Sequence, residues 1–224
     1  MAVSGKASLR PLSIRVQPVA RISRLYLGLV SYAVSMALMV KARLGNQPWD
    51  VFHQGLARRT GLSIGTITVI VGVLVLLLWI PLHQRPGFGT LSNVVIIGIA
   101  VDLALAALPT PSLLWVRILF LITGILLCAV ASGLYIGARL GPGPRDGLMT
   151  GLAARGHSIR VVRTAIEVSV VAVGYVLGGT LGIGTVIYAL TIGPLVHVML
   201  PLFMVRTAEL PRIVPVPTPV SAEA

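Results

Sequence analysis

Three ionisable residues sit inside long apolar runs: Asp102 in IAVDLALAAL, Glu167 in TAIEVSVVAV and His197 in GPLVHVMLP. A charge at the centre of a bilayer costs about 2.5–3.5 kcal/mol on insertion scales, so each is a candidate for function. Asp102 and His197 fall at equivalent places in an internal repeat, 95 residues apart. An Asp and a His so placed could carry protons or hold a cationic substrate. They could equally be polar groups that bond neighbouring backbone and specify packing. Glu167 follows Arg163 by four residues, the spacing at which two side chains on a helix meet. Local pairing near the interface competes there with substrate or proton binding. Ser31, Tyr32, Ser35, Asn93, Tyr188 and Thr191 could line a polar route between such groups.

A second set of residues recurs. Residues 42–57 read ARLGNQPWDVFHQGLA and residues 138–153 read ARLGPGPRDGLMTGLA, identical at nine of sixteen positions with a constant offset of 96. The match resumes where Gly87-Phe88-Gly89-Thr90 meets Gly182-Ile183-Gly184-Thr185. Gly45 and Gly141 suit helix ends that need a left-handed residue. Pro48 and Pro144 suit the first turn of a new helix, where the missing N–H costs nothing. Asp50 and Asp146 then fall in that first turn, among free amides. Arg43 and Arg139, seven residues before the aspartates, could pair with them across the turn. The motif therefore reads as a cap and ion pair that fix a loop, or as a gate element on each face. Trp49, Phe52 and Leu56 recur on one face, and Arg58 and Arg59 close the segment. That pattern predicts a short amphipathic helix at the membrane surface, once on each side. Two buried half-helices dipping inward are the other reading. Arg145 stands where the first copy has Trp49, so the two copies need not share one role.

The elements that must position these residues are membrane helices. Of 224 residues, 56% are hydrophobic and 11% charged, against about a quarter charged in an ordinary soluble domain. A soluble protein of this size cannot hide so much apolar surface. Six apolar segments occupy roughly residues 25–41, 64–82, 90–108, 113–137, 161–179 and 184–204. Each is long enough to cross a hydrocarbon core of about 30 Å, and none alternates as a strand would. The fold expected is an all-α membrane protein. Six transmembrane helices form two three-helix repeats, 25–108 and 113–204. An odd number of spans per copy inverts the second copy in the membrane, an arrangement common in secondary transporters. Residues 1–24 read as a basic cytoplasmic tail and residues 205–224 as a Pro-rich disordered tail.

The net charge of +12 comes from 18 basic and 6 acidic residues. The bases cluster at the ends of apolar runs, a membrane-topology pattern and not a nucleic-acid footprint. With both termini inside, thirteen bases lie on the inner side and five on the outer. The first loop, with Lys41, Arg43, Arg58 and Arg59, runs against that bias. The single cysteine, Cys128, allows no disulfide within the chain and reads as a small buried hydrophobe.

The residues Arg43-Leu44-Gly45 with Pro48, Trp49 and Asp50, and the stretch GIGTVIYALTIGP from Gly182 to Pro194 followed by His197, resemble the YczE/YyaS/YitT group of bacterial integral membrane proteins. The resemblance covers roughly residues 24–204. It implies a multi-pass protein of the bacterial plasma membrane, acting as a transporter or a membrane accessory protein.

No metalloprotease helix, phosphate-binding loop or nucleophile elbow is present. We expect no enzyme, no cofactor and no metal site. The partners expected are the lipid bilayer, a small-molecule substrate and, as an open option, a second copy of the chain. The function expected is secondary transport or export of a small molecule; the alternative is a non-catalytic accessory or scaffold protein.

Overall fold

The structure is a computed structural model that describes residues 17–205. It is all-helical, with no strand among the described residues. Among the described residues eight helices run in the order α1 (Pro18–Ala42), α2 (Pro48–Thr60), α3 (Ile64–Trp79), α4 (Phe88–Ala107), α5 (Leu114–Gly137), α6 (Pro144–Ala153), α7 (Ile159–Val176) and α8 (Ile183–Phe203). Four of them, α1, α4, α5 and α8, are long and apolar enough to cross a membrane. The α2–α3 pair meets the same test jointly but bends by 114°. Leu74, Leu78, Leu119, Ile122, Leu126 and Leu190 lie exposed on the outside of the bundle. Such apolar outer faces suit hydrocarbon and not water.

The first helix begins earlier than the apolar pattern suggests. Residues 18–24 belong to α1 and not to a tail. Pro18 occupies its first turn, where proline's fixed φ favours helix. The charge of Arg21 does not end the helix, because Arg21 is fully buried and bonded. The rest of the basic N-terminal segment and the proline-rich stretch from 206 onward lie outside the described residues.

The bundle is built around α1 and α5, which pack along one another, with α4 on α1 and α8 on α5. Small residues let the two central backbones approach. A Cβ on Gly28 would stand 2.8 Å from the Tyr135 amide nitrogen, and one on Gly124 would stand 3.2 Å from the Ser35 carbonyl. One core cluster, Leu25, Leu29, Ala33, Ile97 and Val101, lies on the α4 side of this pair. Another, Met39, Ile125, Cys128, Tyr188 and Ile192, lies on the α8 side. The remaining helices complete the shell, with α2 on α7 and α3 on α6.

The repeated motif ends α1 and α5 in the same way. Arg43 and Arg139 take left-handed backbone at φ 53° and 54°. Gly45 and Gly141 follow at φ 121° and 132°, values that only glycine adopts without strain. The carbonyls freed at each end are then bound by the other half of the chain. Arg117 donates from Nε to Ala42 O at 2.8 Å and from Nη2 to Arg43 O at 2.9 Å. Arg21 donates from Nε to Ala138 O at 2.8 Å and from Nη2 to Arg139 O at 3.1 Å. Gly184 N–H reaches Leu44 O at 2.8 Å, while Gly89 N–H reaches Leu140 O at 2.9 Å. Arg58 donates to Gly178 O and Arg155 to Pro81 O. The Arg117 contacts match those of Arg21, and the Gly184 contact matches that of Gly89, between equivalent residues with the halves exchanged.

Candidate binding site at the junction of the two halves

The tight turns through Gly45 and Gly141 aim α2 and α6 back into the bundle. Both helices open on proline, Pro48 and Pro144, with Asp50 and Asp146 in the first turn. A surface helix should leave its polar face exposed. On α2, however, Asp50, His53 and Gln54 are buried along with Trp49 and Val51. The expected surface-lying helix is therefore a half-helix packed inside the protein, covered by α7 on one side and α3 on the other. Its start is pinned by polar bonds. Asn46 Nδ2 donates to Gln54 Oε1 at 3.0 Å, and Thr180 N–H donates to the same oxygen at 2.7 Å. On α6, Trp79 Nε1 donates to Pro144 O at 3.0 Å, and the Thr90 hydroxyl donates to Pro142 O at 2.7 Å.

The two half-helices bring an ionisable cluster to the centre. Asp50 is 1% exposed. Its Oδ1 lies 3.5 Å from His53 Nδ1 and 3.9 Å from Arg145 Nη2. Those are ion-pair distances, yet neither carboxylate oxygen accepts a hydrogen bond. The Arg145 guanidinium stacks on Trp49, with Cζ 5.0 Å from the ring centroid. Tyr135 donates to Asp146 Oδ2 at 3.0 Å, and Tyr32 donates to Gln47 Oε1 at 3.0 Å. The Thr68 hydroxyl hydrogen goes to Ile64 O at 2.8 Å, while Thr68 Oγ1 lies 3.2 Å from His53 Nδ1. His53 Nε2, Gln47 Nε2 and Trp49 Nε1 are buried without a hydrogen-bond partner.

Two cavities meet at this cluster and share Tyr32, Trp49, Tyr135, Arg145 and Asp146. One, of about 70 Å³, extends between α3 and α4 toward His53, Thr68 and Asn93. The other, of about 160 Å³, extends between α7 and α8 toward Arg163, Glu167 and Tyr188. Buried polar atoms that lack partners are exceptional in folded proteins. Here three of them, on Gln47, Trp49 and His53, belong to residues that line hollow space at the junction of the two halves. That arrangement can bind a small polar or charged solute.

The residues singled out from the sequence are distributed unevenly. Glu167 is in the site, where its Oε1 accepts from Arg163 Nε at 2.9 Å. Asp146 is there, and Asp50 sits behind it. Arg43 is exposed at the end of α1, and the guanidinium beside Asp50 is that of Arg145 instead. Arg139 is buried and donates from Nη1 to Val205 O at 3.4 Å. Asp102 and His197 are not brought together. Asp102 caps α3, accepting from Ser63 Oγ at 2.5 Å and from Gly65 N–H at 2.8 Å. His197 lies exposed on α8. Of the proposed polar route, Tyr32, Asn93 and Tyr188 line the cavities, while Ser35 and Thr191 bond their own helix backbones. The sequence pattern does not single out His53, Gln47, Tyr135 or Arg145 as site residues. For His53 a signal was present: it lies one turn after Asp50 on the same helix.

Apolar outer faces, a polar interior and at least four helices of spanning length define a multi-pass helical membrane protein. The chain belongs to the family of unknown function DUF6198, whose model matches residues 19–201. It is 40% identical over 193 residues to an uncharacterized protein of Haemophilus influenzae, covering 86% of this chain and 87% of the other. It is 32% identical over 180 residues to the uncharacterized membrane protein YczE of Bacillus subtilis, covering 79% and 83%. It is 28% identical over 184 residues to the uncharacterized protein YyaS of the same organism, covering 79% and 90%. No solved structure matches the chain.

Proposed function

We propose that this protein is a secondary transporter or exporter of a small molecule. Its substrate site is the pair of cavities around Trp49, Tyr135, Arg145 and Asp146. The observation that carries the reading is that Gln47, Trp49 and His53, each with a buried, partnerless polar atom, line those cavities where the halves meet. Transport folds of repeated halves commonly place their sites at such a junction, with half-helix N-termini aimed at it; α2 and α6 have that placement.

In this reading α1, α3 and α4 span the membrane as one repeat, and α5, α7 and α8 span it as an inverted second. The reciprocal contacts of Arg21 with Arg117 and of Gly89 with Gly184 support an approximate two-fold relation between them. The bias of thirteen bases against five favours a cytoplasmic location for both termini in a bacterial plasma membrane. Alternating access then follows from rocking one repeat against the other.

The test is a thermal-stability screen of the purified full chain in nanodiscs against small cations, anions and neutral solutes. Wild type is compared with Trp49→Ala and with Asp102→Asn. A ligand at 100 times its dissociation constant adds about 2.7 kcal/mol of apparent stability. A solute that stabilises wild type and Asp102→Asn but not Trp49→Ala, and that accumulates in proteoliposomes, supports transport through this site. If no solute stabilises the wild type and none accumulates, the non-catalytic accessory role takes its place.

A further inference from the structure

Resting on that reading, we infer that the seam between α7 and α8 is a gate, open in this structure, and that His197 is the latch that closes it. Equivalent residues of the two halves are packed differently. At an offset of 95, Ser63-Ile64 at the start of α3 recurs as Ser158-Ile159 at the start of α7, and Gly98 of α4 recurs as Gly193 of α8. In the first half α3 packs along α4, whereas α7 has no such packing on α8. A Cβ on Gly98 would lie 2.3 Å from Val69 Cγ2 and 2.9 Å from Gly65 O, while one on Gly193 would meet nothing within 4 Å. Val94 and Val101 are buried in the closed seam, but their equivalents Ala189 and Val196 are exposed and half-buried. Glycine in a membrane helix lets two backbones approach, and only one of these two glycines is so used.

The cavities follow the seams. Gly72 and Asn93 line the one beside the packed seam, of about 70 Å³. Their equivalents, Glu167 and Tyr188, line the one beside the parted seam, of about 160 Å³. Closing α7 onto α8 while α3 parts from α4 would exchange the two, which is what alternating access between inverted halves requires.

The latch comes from the same comparison. Asp102 of α4 fastens the closed seam by accepting from Ser63 Oγ and Gly65 N–H at the start of α3. Its equivalent on α8 is His197, exposed and without a hydrogen-bond partner among the described residues. The start of α7, opened by Ser158, has no side-chain cap. A neutral imidazole nitrogen can accept from the Ser158 hydroxyl or from the Arg160 N–H, as the carboxylate does from Ser63 and Gly65. Arg160 in place of Gly65 keeps the helices further apart at that end, and His197, longer than Asp102, spans the difference.

The experiment uses the full chain with Cys128→Ser, one chain per nanodisc. Gly72→Cys with Val94→Cys reads the α3–α4 seam, since a Cβ on Gly72 stands 3.6 Å from that of Val94, a disulfide separation. Thr164→Cys with Gly193→Cys, the equivalents of Val69 and Gly98, reads the α7–α8 seam. Copper phenanthroline oxidises each pair, and free thiols are counted with a maleimide polymer after denaturation. The first pair should oxidise fast, and the second fully but more slowly. His197→Ala should slow the second pair about fivefold, the worth of one hydrogen bond, and leave the first unchanged. His197→Gln, which keeps an acceptor, should restore the rate. A second pair that keeps both thiols overturns the gate, and one whose rate ignores His197→Ala overturns the latch. In native membranes, a dimer-sized product of the second pair on a non-reducing gel also overturns the gate and gives the seam to a second copy of the chain. Solute accumulation in proteoliposomes is scored separately, so a seam that never closes removes the gate and leaves the transport site to stand or fall by itself.

Discussion

Arg145 stacks on Trp49, the residue 96 positions before it in the chain and its equivalent in the repeated motif. The two copies of the motif thus meet in space at the one position where they carry opposite chemistry. One contributes an electron-rich face and the other a planar cation. Asp50 stands behind this stack and Asp146 beside it, so the first turns of two half-helices make one polar centre.

The relation between Arg145 and Asp50 can be measured as a coupling energy. Arg145→Gln leaves the Asp50 carboxylate buried without its guanidinium. Losing one partner of a buried pair costs about 3–5 kcal/mol at most. The 3.9 Å separation and the partial exposure of Arg145 bring the expectation down to about 1–2 kcal/mol. Asp50→Asn should relieve most of that loss. A double-mutant cycle by thermal unfolding should therefore show the double variant more stable than the sum of the singles. Additivity would mean that the pair is not coupled.

Asp102 and His197 should behave quite differently from one another. Asp102→Ala removes two hydrogen bonds that close the N-terminus of α3 and should cost about 2 kcal/mol. His197→Gln alters an exposed side chain on α8 and should stay within about 0.5 kcal/mol of wild type. Melting curves in one detergent decide it, and equal losses would mean that the two residues work as a pair.

Gly45 and Gly141 should be intolerant of any side chain. Alanine at either position meets a left-handed backbone, and its Cβ would lie 2.7 Å from Thr185 N at one end or Thr90 Oγ1 at the other. Each substitution should cost about 2 kcal/mol or more. The readout is yield of folded protein and melting temperature. A neutral Gly45→Ala would show that the turn can open without loss.

The proposed inverted arrangement has a direct chemical readout. Cys128 is buried, so a Cys128→Ser background is quiet toward thiol reagents. Leu62→Cys, in the link between α2 and α3, should react with a membrane-impermeant maleimide added outside intact cells. His157→Cys, in the link between α6 and α7, should react only after permeabilisation. Labelling of both from one side would rule out inversion.

Much of the architecture can be read from the sequence, because membrane helices need long apolar runs and the turns between them need glycine and proline. The helices appear where the runs lie, and Gly45, Pro48, Gly141 and Pro144 sit at the ends expected of them. The site was less legible. Equivalence in the repeat suggests Asp102 with His197, but Asp102 caps the start of α3 and His197 lies exposed on α8, while Trp49 and Arg145 meet. The depth of α2 was hidden for another reason. Trp49, Phe52 and Leu56 mark one apolar face, and nothing in that periodicity reveals that α3 and α7 also cover Asp50, His53 and Gln54. In the sequence Arg21 reads as a topological charge, because its acceptors, the carbonyls of Ala138 and Arg139, are more than a hundred residues away.

Those distant acceptors bear on what counts as the folding unit. The last carbonyls of α1 are held by a guanidinium from α5, and those of α5 by one from α1. Neither half carries its own fastening. Separated from the other, each half would leave those carbonyls without their guanidinium.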